Sequence, residues 1–142
     1  MEFKGGKLVE TLNEKILSII NKHKIGTMAT LNGSKPFVRY MTFTNDDFVL
    51  FTTTSEESQK VLDLQQNPYT HILLGYTKEG MNAPYVEITA KLSEIKDDTL
   101  KLKITNFFKD IFKSDTEDMI TLQLDPVTIK LMNDGEPQEL NF

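Results

Sequence analysis

The segment Phe37-Val38-Arg39-Tyr40-Met41-Thr42-Phe43 holds a side chain that its surroundings do not explain. Side chains alternate across a strand, so Phe37, Arg39, Met41 and Phe43 share one face and Val38, Tyr40 and Thr42 the other. A guanidinium among two phenylalanines and a methionine is costly to bury. It needs a carboxylate, carbonyls, a phosphate or a polar ring as partner. The competing reading is an arginine at the strand rim, reaching water past its neighbours. Fifteen of the sixteen basic residues are lysine, which leaves Arg39 as the single arginine. A lysine-favouring genome accounts for that scarcity. It does not account for the position, where arginine offers a planar fork of donors that lysine cannot imitate.

A second group follows at Thr52-Thr53-Thr54-Ser55-Glu56-Glu57-Ser58-Gln59-Lys60. Here a strand ends in hydroxyls and a helix begins. Unpaired amides at a helix start, with hydroxyls and a lysine, can cradle a phosphate. Glu56 and Glu57 oppose this reading, because acids in the first turn already satisfy the helix dipole. No Gly-rich run is present, which excludes a Walker A or Rossmann loop. His23 and His71 are too far apart for a metal motif, and each reads as a packing residue. No serine–histidine–carboxylate pattern stands out. The absence of cysteine excludes disulfides, thiolate ligands and a cysteine nucleophile. Asp46-Asp47 and Asp97-Asp98 read as turn and helix-start residues, and Met28 and Met41 as core. No metal site is expected, and no residue is selected as catalytic.

These groups need elements to hold them. Leu8 to His23 reads as a helix with Leu12, Ile16, Ile19 and Ile20 at helical spacing, stopped near Gly26. Ile25 to Leu31 and Lys35 to Phe43 read as strands joined at Asn32-Gly33, a two-residue hairpin signal. Asn45-Asp46-Asp47 turns into a third strand, Phe48 to Thr52. Thr54 to Gln66 reads as a helix, with Thr54 and Glu57 at capping-box spacing and Ser55 and Ser58 as a competing register. Asn67-Pro68 ends it. Strands follow at Tyr69 to Tyr76 and Tyr85 to Ile95, with a loop from Lys78 to Pro84 between them. Asp97 to Phe112 is a helix with an apolar stripe of Leu100, Ile104, Phe107, Phe108, Ile111 and Phe112. Ile120 to Met132 is a last strand, bent at Pro126, before a polar tail from Asn133. Hairpin-linked strands dominate, so the sheet is expected to be antiparallel and curled or closed into a small barrel.

The chain has 142 residues, the size of one domain, expected to span 1–142. A net charge of −5 argues against a general binder of nucleic acid or anionic membrane. No apolar run approaches the roughly 20 residues of a spanning helix. The first residues lead into a helix carrying Glu10 and Glu14, which does not fit a secretory signal. A cytoplasmic protein is the expectation.

The ordered set Ile25-Gly26-Thr27-Met28-Ala29-Thr30, Asn32-Gly33, Arg39-Tyr40-Met41, Phe51-Thr52-Thr53-Thr54, Ser58-Gln59-Lys60 and Asn67-Pro68 resembles the pyridoxamine 5'-phosphate oxidase-like FMN-binding split barrels. Within them it looks closest to the short general stress protein branch, over roughly residues 8 to 132. The resemblance implies a mainly β fold, a six-stranded antiparallel split barrel with about three flanking helices. It also implies a homodimer with cofactor clefts at the interface. Carried over residue by residue, Arg39, Tyr40, Met41 and Thr42 would line the flavin ring. Thr53 and Thr54 would contact the ribityl–phosphate region, and Ser58 and Lys60 would hold the phosphate. The implied function is a flavin-dependent oxidoreductase on a small substrate. The alternative is a non-catalytic flavin or haem carrier, or stress-related binding protein, of the same fold. Haem, for which His71 or His23 would be the histidine ligand, and a deazaflavin are alternative cofactors to FMN. Gln59 stands where a second basic residue is common, tryptophan is absent and Arg39 is alone, so pyridoxal phosphate synthesis is not implied.

Overall fold

The computed structural model of the chain describes residues 2–77, 82–113 and 118–142. Its sheet strands are β3 (Ile25–Asn32), β4 (Lys35–Asp46), β5 (Val49–Ser55), β6 (Tyr69–Leu74), β7 (Tyr85–Ser93), β8 (Met119–Met132) and β9 (Gln138–Asn141). A short hairpin of β1 (Glu2–Lys4) and β2 (Lys7–Val9) precedes them. The helices are α1 (Leu12–Lys22), α2 (Gln59–Gln66) and α3 (Asp98–Phe112). Strand order is β5-β4-β3-β6-β7-β8-β9, and β5 also pairs with β8. That pairing closes six strands into an antiparallel barrel, with β9 added outside it. The expected six-stranded barrel with three helices is therefore the fold.

Alternation sets the inside of the barrel. Gly26, Met28 and Thr30 of β3 are buried while the residues between them are not. Met28, Phe43, Ile72 and Ile88 form one core with Ile16 and Ile20 of α1. Phe51 alternates outward from its buried neighbour Leu50 and packs against Ile104 and Phe108 of α3. The stripe of α3 is thus largely a covering face, although Ile111 and Phe112 remain exposed. Among the described residues no helix is long and apolar enough to cross a membrane.

Several boundaries differ from the sequence expectation. The first helix begins at Leu12, not Leu8. Thr11 and Glu14 make a reciprocal capping box there, and Leu8 belongs to β2, behind a turn in which Gly5 and Gly6 have positive φ. Gly26 stops no helix; it lies inside β3. The first hairpin turns on Gly33-Ser34, because Asn32 still pairs with Lys35. Gly33 alone carries the positive φ, the pattern of a turn with glycine first. The next turn falls at Asp47-Phe48, since Asp46 pairs with Val49. The bend in β8 is a register shift opposite Thr89 and Ala90, which pair with Thr128 and Pro126. The polar tail folds back as β9, with Leu140 on the core and Phe142 against Phe48. In the expected loop from Lys78 to Pro84, positions 78–81 lie outside the described residues.

Candidate functional site

Cross-strand register places Arg39 opposite Met28. Its side chain therefore lies on the inner face, as alternation requires. The guanidinium is received by neutral acceptors. Nη1 donates to the Thr30 hydroxyl at 2.8 Å, to the Phe37 carbonyl at 3.1 Å and to the Met28 carbonyl at 3.3 Å. Burial holds its pKa below the ordinary arginine value, and the nearby Asp63 carboxylate partly offsets this. Tyr40 and Val38 point the other way and are exposed. Met41 and Thr42 are half-buried, and the Thr42 carbonyl accepts from the Thr52 hydroxyl.

The second group is brought to the same place by β5 and α2. Pairing with β8 carries β5 to Ser55, so Glu56 and Glu57 precede the helix and do not stand in its first turn. No capping box forms. Ser58 is the N-cap, but its hydroxyl caps nothing, and the first turn contains no acidic residue. The two glutamates stand just before the helix and outside its first turn, which weakens the objection to an anion. Lys60 Nζ donates to Thr54 Oγ1 at 2.6 Å, and Thr54 donates on to Ser58 at 3.2 Å. The pKa of Lys60 is held below the ordinary lysine value, first by burial and then by the charge of Arg39. The two cations are therefore close enough to repel. Among the described residues no carboxylate lies within 4.0 Å of either.

Arg39, Thr54, Ser58 and Lys60 thus converge. Thr53 does not join with its side chain: it is buried and donates to the Ile120 carbonyl at 2.9 Å. Thr30 and Asp63 escaped the sequence reading as site residues, and Gln59 entered it only as a missing cation. Thr30 receives Arg39 and donates to Asp63 at 3.0 Å, and Gln59 donates to Asp63 at 2.9 Å. The signal for the last two was an acid four residues after an amide, set between Val61 and Leu64, which are both buried.

The histidines sit elsewhere. His23 ends α1 beside a hollow of about 700 Å³ lined also by Lys15, Lys22 and Asp134. Burial and Lys22 push its pKa down. In that hollow Lys15 is already paired with Asp134 at 2.8 Å. His71 is exposed on β6 and reaches Thr89.

The cluster can bind an anion. Lys60, two hydroxyls and an uncapped helix start offer donors to one phosphate group, and Arg39 adds a second cation nearby. Comparisons with known proteins give the family and the fold. The family described as "Pyridoxamine 5'-phosphate oxidase" matches residues 12–132. General stress protein 26 of Bacillus subtilis (strain 168) is 36% identical over 132 residues, covering 89% of this chain and 92% of that protein. The crystal structure of General Stress Protein 26 from Bacillus anthracis str. Sterne superposes with a TM-score of 0.77 at 31% identity, covering 92% of this chain and 98% of that one. A putative pyridoxamine 5'-phosphate oxidase from Listeria innocua superposes with a TM-score of 0.79 at 27% identity, covering 87% and 100%.

Proposed function

The chain belongs to the pyridoxamine 5'-phosphate oxidase family, and from that premise we propose that it is a homodimeric FMN-binding flavoprotein, acting as an oxidoreductase on a small substrate. The observation that carries this is the chain from Lys60 through the Thr54 hydroxyl to Ser58 at an uncapped helix start, with Arg39 nearby. A protein of net charge −5 has gathered two cations and given neither a carboxylate within 4.0 Å among the described residues. A phosphate dianion would relieve that arrangement.

The chain's own residues divide the work. Lys60, Ser58 and the first amides of α2 would take the phosphate. Thr54 would face the ribityl end, where Thr53 has its main chain to offer, since its hydroxyl proton is committed to Ile120. Arg39 and the main chain from Tyr40 to Thr42 would line the ring. The flavin, when bound, supplies hydride and electron transfer; the protein supplies orientation and charge near it. Pyridoxal phosphate synthesis is not the activity proposed, because the chain has one arginine and no tryptophan. A flavin carrier without catalysis is the second reading. In its favour, neither histidine belongs to the cluster, so no imidazole stands ready for proton transfer.

The test is an absorption spectrum of the purified protein, before and after FMN is added and free flavin removed. Flavin bands that travel with the protein support the proposal. No retained chromophore under excess FMN overturns it, and a haem band replaces the cofactor. Repeated turnover with a nicotinamide donor selects the oxidoreductase, and stable binding without turnover selects the carrier.

A further inference from the structure

Asp63 has no role in the proposed function, yet it is 3% exposed and lies near Arg39, joined to it through Thr30. We propose that Asp63 is a positioning residue: by taking the proton of the Thr30 hydroxyl, it fixes that oxygen as an acceptor and so holds the Arg39 guanidinium at the cleft. The part that concerns the cleft rests on the flavin reading; the part that concerns Arg39 does not.

Proton counting carries it. A carboxylate accepts and cannot donate. Asp63 Oδ2 receives the Thr30 hydroxyl at 3.0 Å, and Oδ1 receives the Gln59 amide at 2.9 Å. Thr30 has one hydroxyl proton, and it is spent. Its oxygen can then serve Arg39 as an acceptor alone, and Nη1 sits 2.8 Å from it. The Phe37 and Met28 carbonyls hold the same nitrogen. One nitrogen of the fork is thereby anchored. Among the described residues the other guanidinium nitrogens have no partner, and they remain available to a ligand.

The arrangement has little to recommend it as plain packing. A buried carboxylate that forms no ion pair is expensive, and α2 has Val61 and Leu64 beside it to fill an apolar site. Gln59 fits the same logic. It stands where a further cation would strengthen phosphate binding, but its amide is directed inward at Asp63.

Because Arg39 is the single arginine, its guanidinium nitrogen signals need no assignment. The experiment compares wild type with Asp63→Asn, whose amide keeps one acceptor oxygen and turns the other into a donor, so that it cannot accept from both Thr30 and Gln59. In ligand-free wild type the Arg39 Nη signals should be resolved and slow to exchange with water. In Asp63→Asn they should merge and exchange faster. FMN affinity, measured by fluorescence titration, should fall roughly tenfold, the loss of one hydrogen bond to a charged group. Thr30→Ser should keep both readouts and Thr30→Ala should lose both; this pair carries the test if Asp63→Asn does not fold. Unchanged Arg39 signals in Asp63→Asn or Thr30→Ala overturn the proposal. So does FMN affinity that is unchanged or tighter, since the carboxylate would then act by charge alone. If wild type binds no FMN, the flavin reading fails and the Arg39 signals alone decide this one.

Discussion

Lys60, assigned to the phosphate in the proposed function, works against the stability of its own fold. Burial and the charge of Arg39 hold its pKa below the ordinary lysine value. The unfolded chain therefore holds that proton more tightly than the folded one. Charged Lys60 costs stability at neutral pH, and the cost fades as pH rises from the folded pKa to the ordinary value. Lys60→Met should leave the melting temperature of the ligand-free protein unchanged or raise it. FMN affinity should fall by roughly ten- to a hundredfold, from a charge-assisted hydrogen bond lost. Calorimetry and a flavin titration check the two halves. In wild type the affinity should also decline on the alkaline side as Lys60 deprotonates, and Lys60→Met should lose that decline. At this scale the sequence was legible where local rules apply. Alternation put Arg39 on the inner face, and hydroxyl-rich composition marked Thr54 and Ser58. Thr30 and Asp63 were not legible, because their bond joins residues 33 positions apart.

Elements were legible where one local signal outweighed its neighbours. The helix of residues 98–112 carries its own start in Asp97, which accepts from the amides of Thr99 and Leu100. Asp97→Ala should lower stability by about 1 kcal/mol, read as a shift in the urea midpoint. The start of α2 was misplaced for a physical reason. Thr54 and Ser55 satisfy capping spacing, but pairing with Ile120 and Met119 keeps both in β5, so tertiary pairing defeats the local cap. Gly26 was misread for a similar reason. A Cβ there would collide with the Leu73 carbonyl and come within 2.7 Å of Leu74 Cδ2. Glycine is needed for close approach of β3 and β6, and it ends nothing. Gly26→Ala should destabilise by about 1–3 kcal/mol, the range of overpacked cores. A urea midpoint equal to wild type would show that the two strands can part without cost.

Barrel closure belongs to the whole molecule. Successive hairpins implied an antiparallel sheet, but β5 meets β8 across a long separation; the Thr53–Ile120 bond spans 67 positions. No local pattern announces such a pairing. Closure also decides what lies outside. Register puts Ile25, Val38 and Tyr40 on the outer face of β3 and β4, and they are 66%, 66% and 81% exposed. On β6, Tyr69 is half exposed. Under the proposed dimer, this strip is a face for the partner to cover. A second copy of the chain is the occupant that fits the proposed dimer, because the strip adjoins the strand that carries Arg39. Wild type should sediment at about twice 16.3 kDa. Tyr40→Glu should place a charge in the contact and shift the protein to monomer, leaving its barrel intact by circular dichroism. If the cleft is completed across the dimer, the same variant should lose most of its FMN affinity although Arg39 and Lys60 are untouched. A Tyr40→Glu monomer that binds FMN as wild type does would confine the cleft to one subunit. A Tyr40→Glu dimer would place the contact on another face.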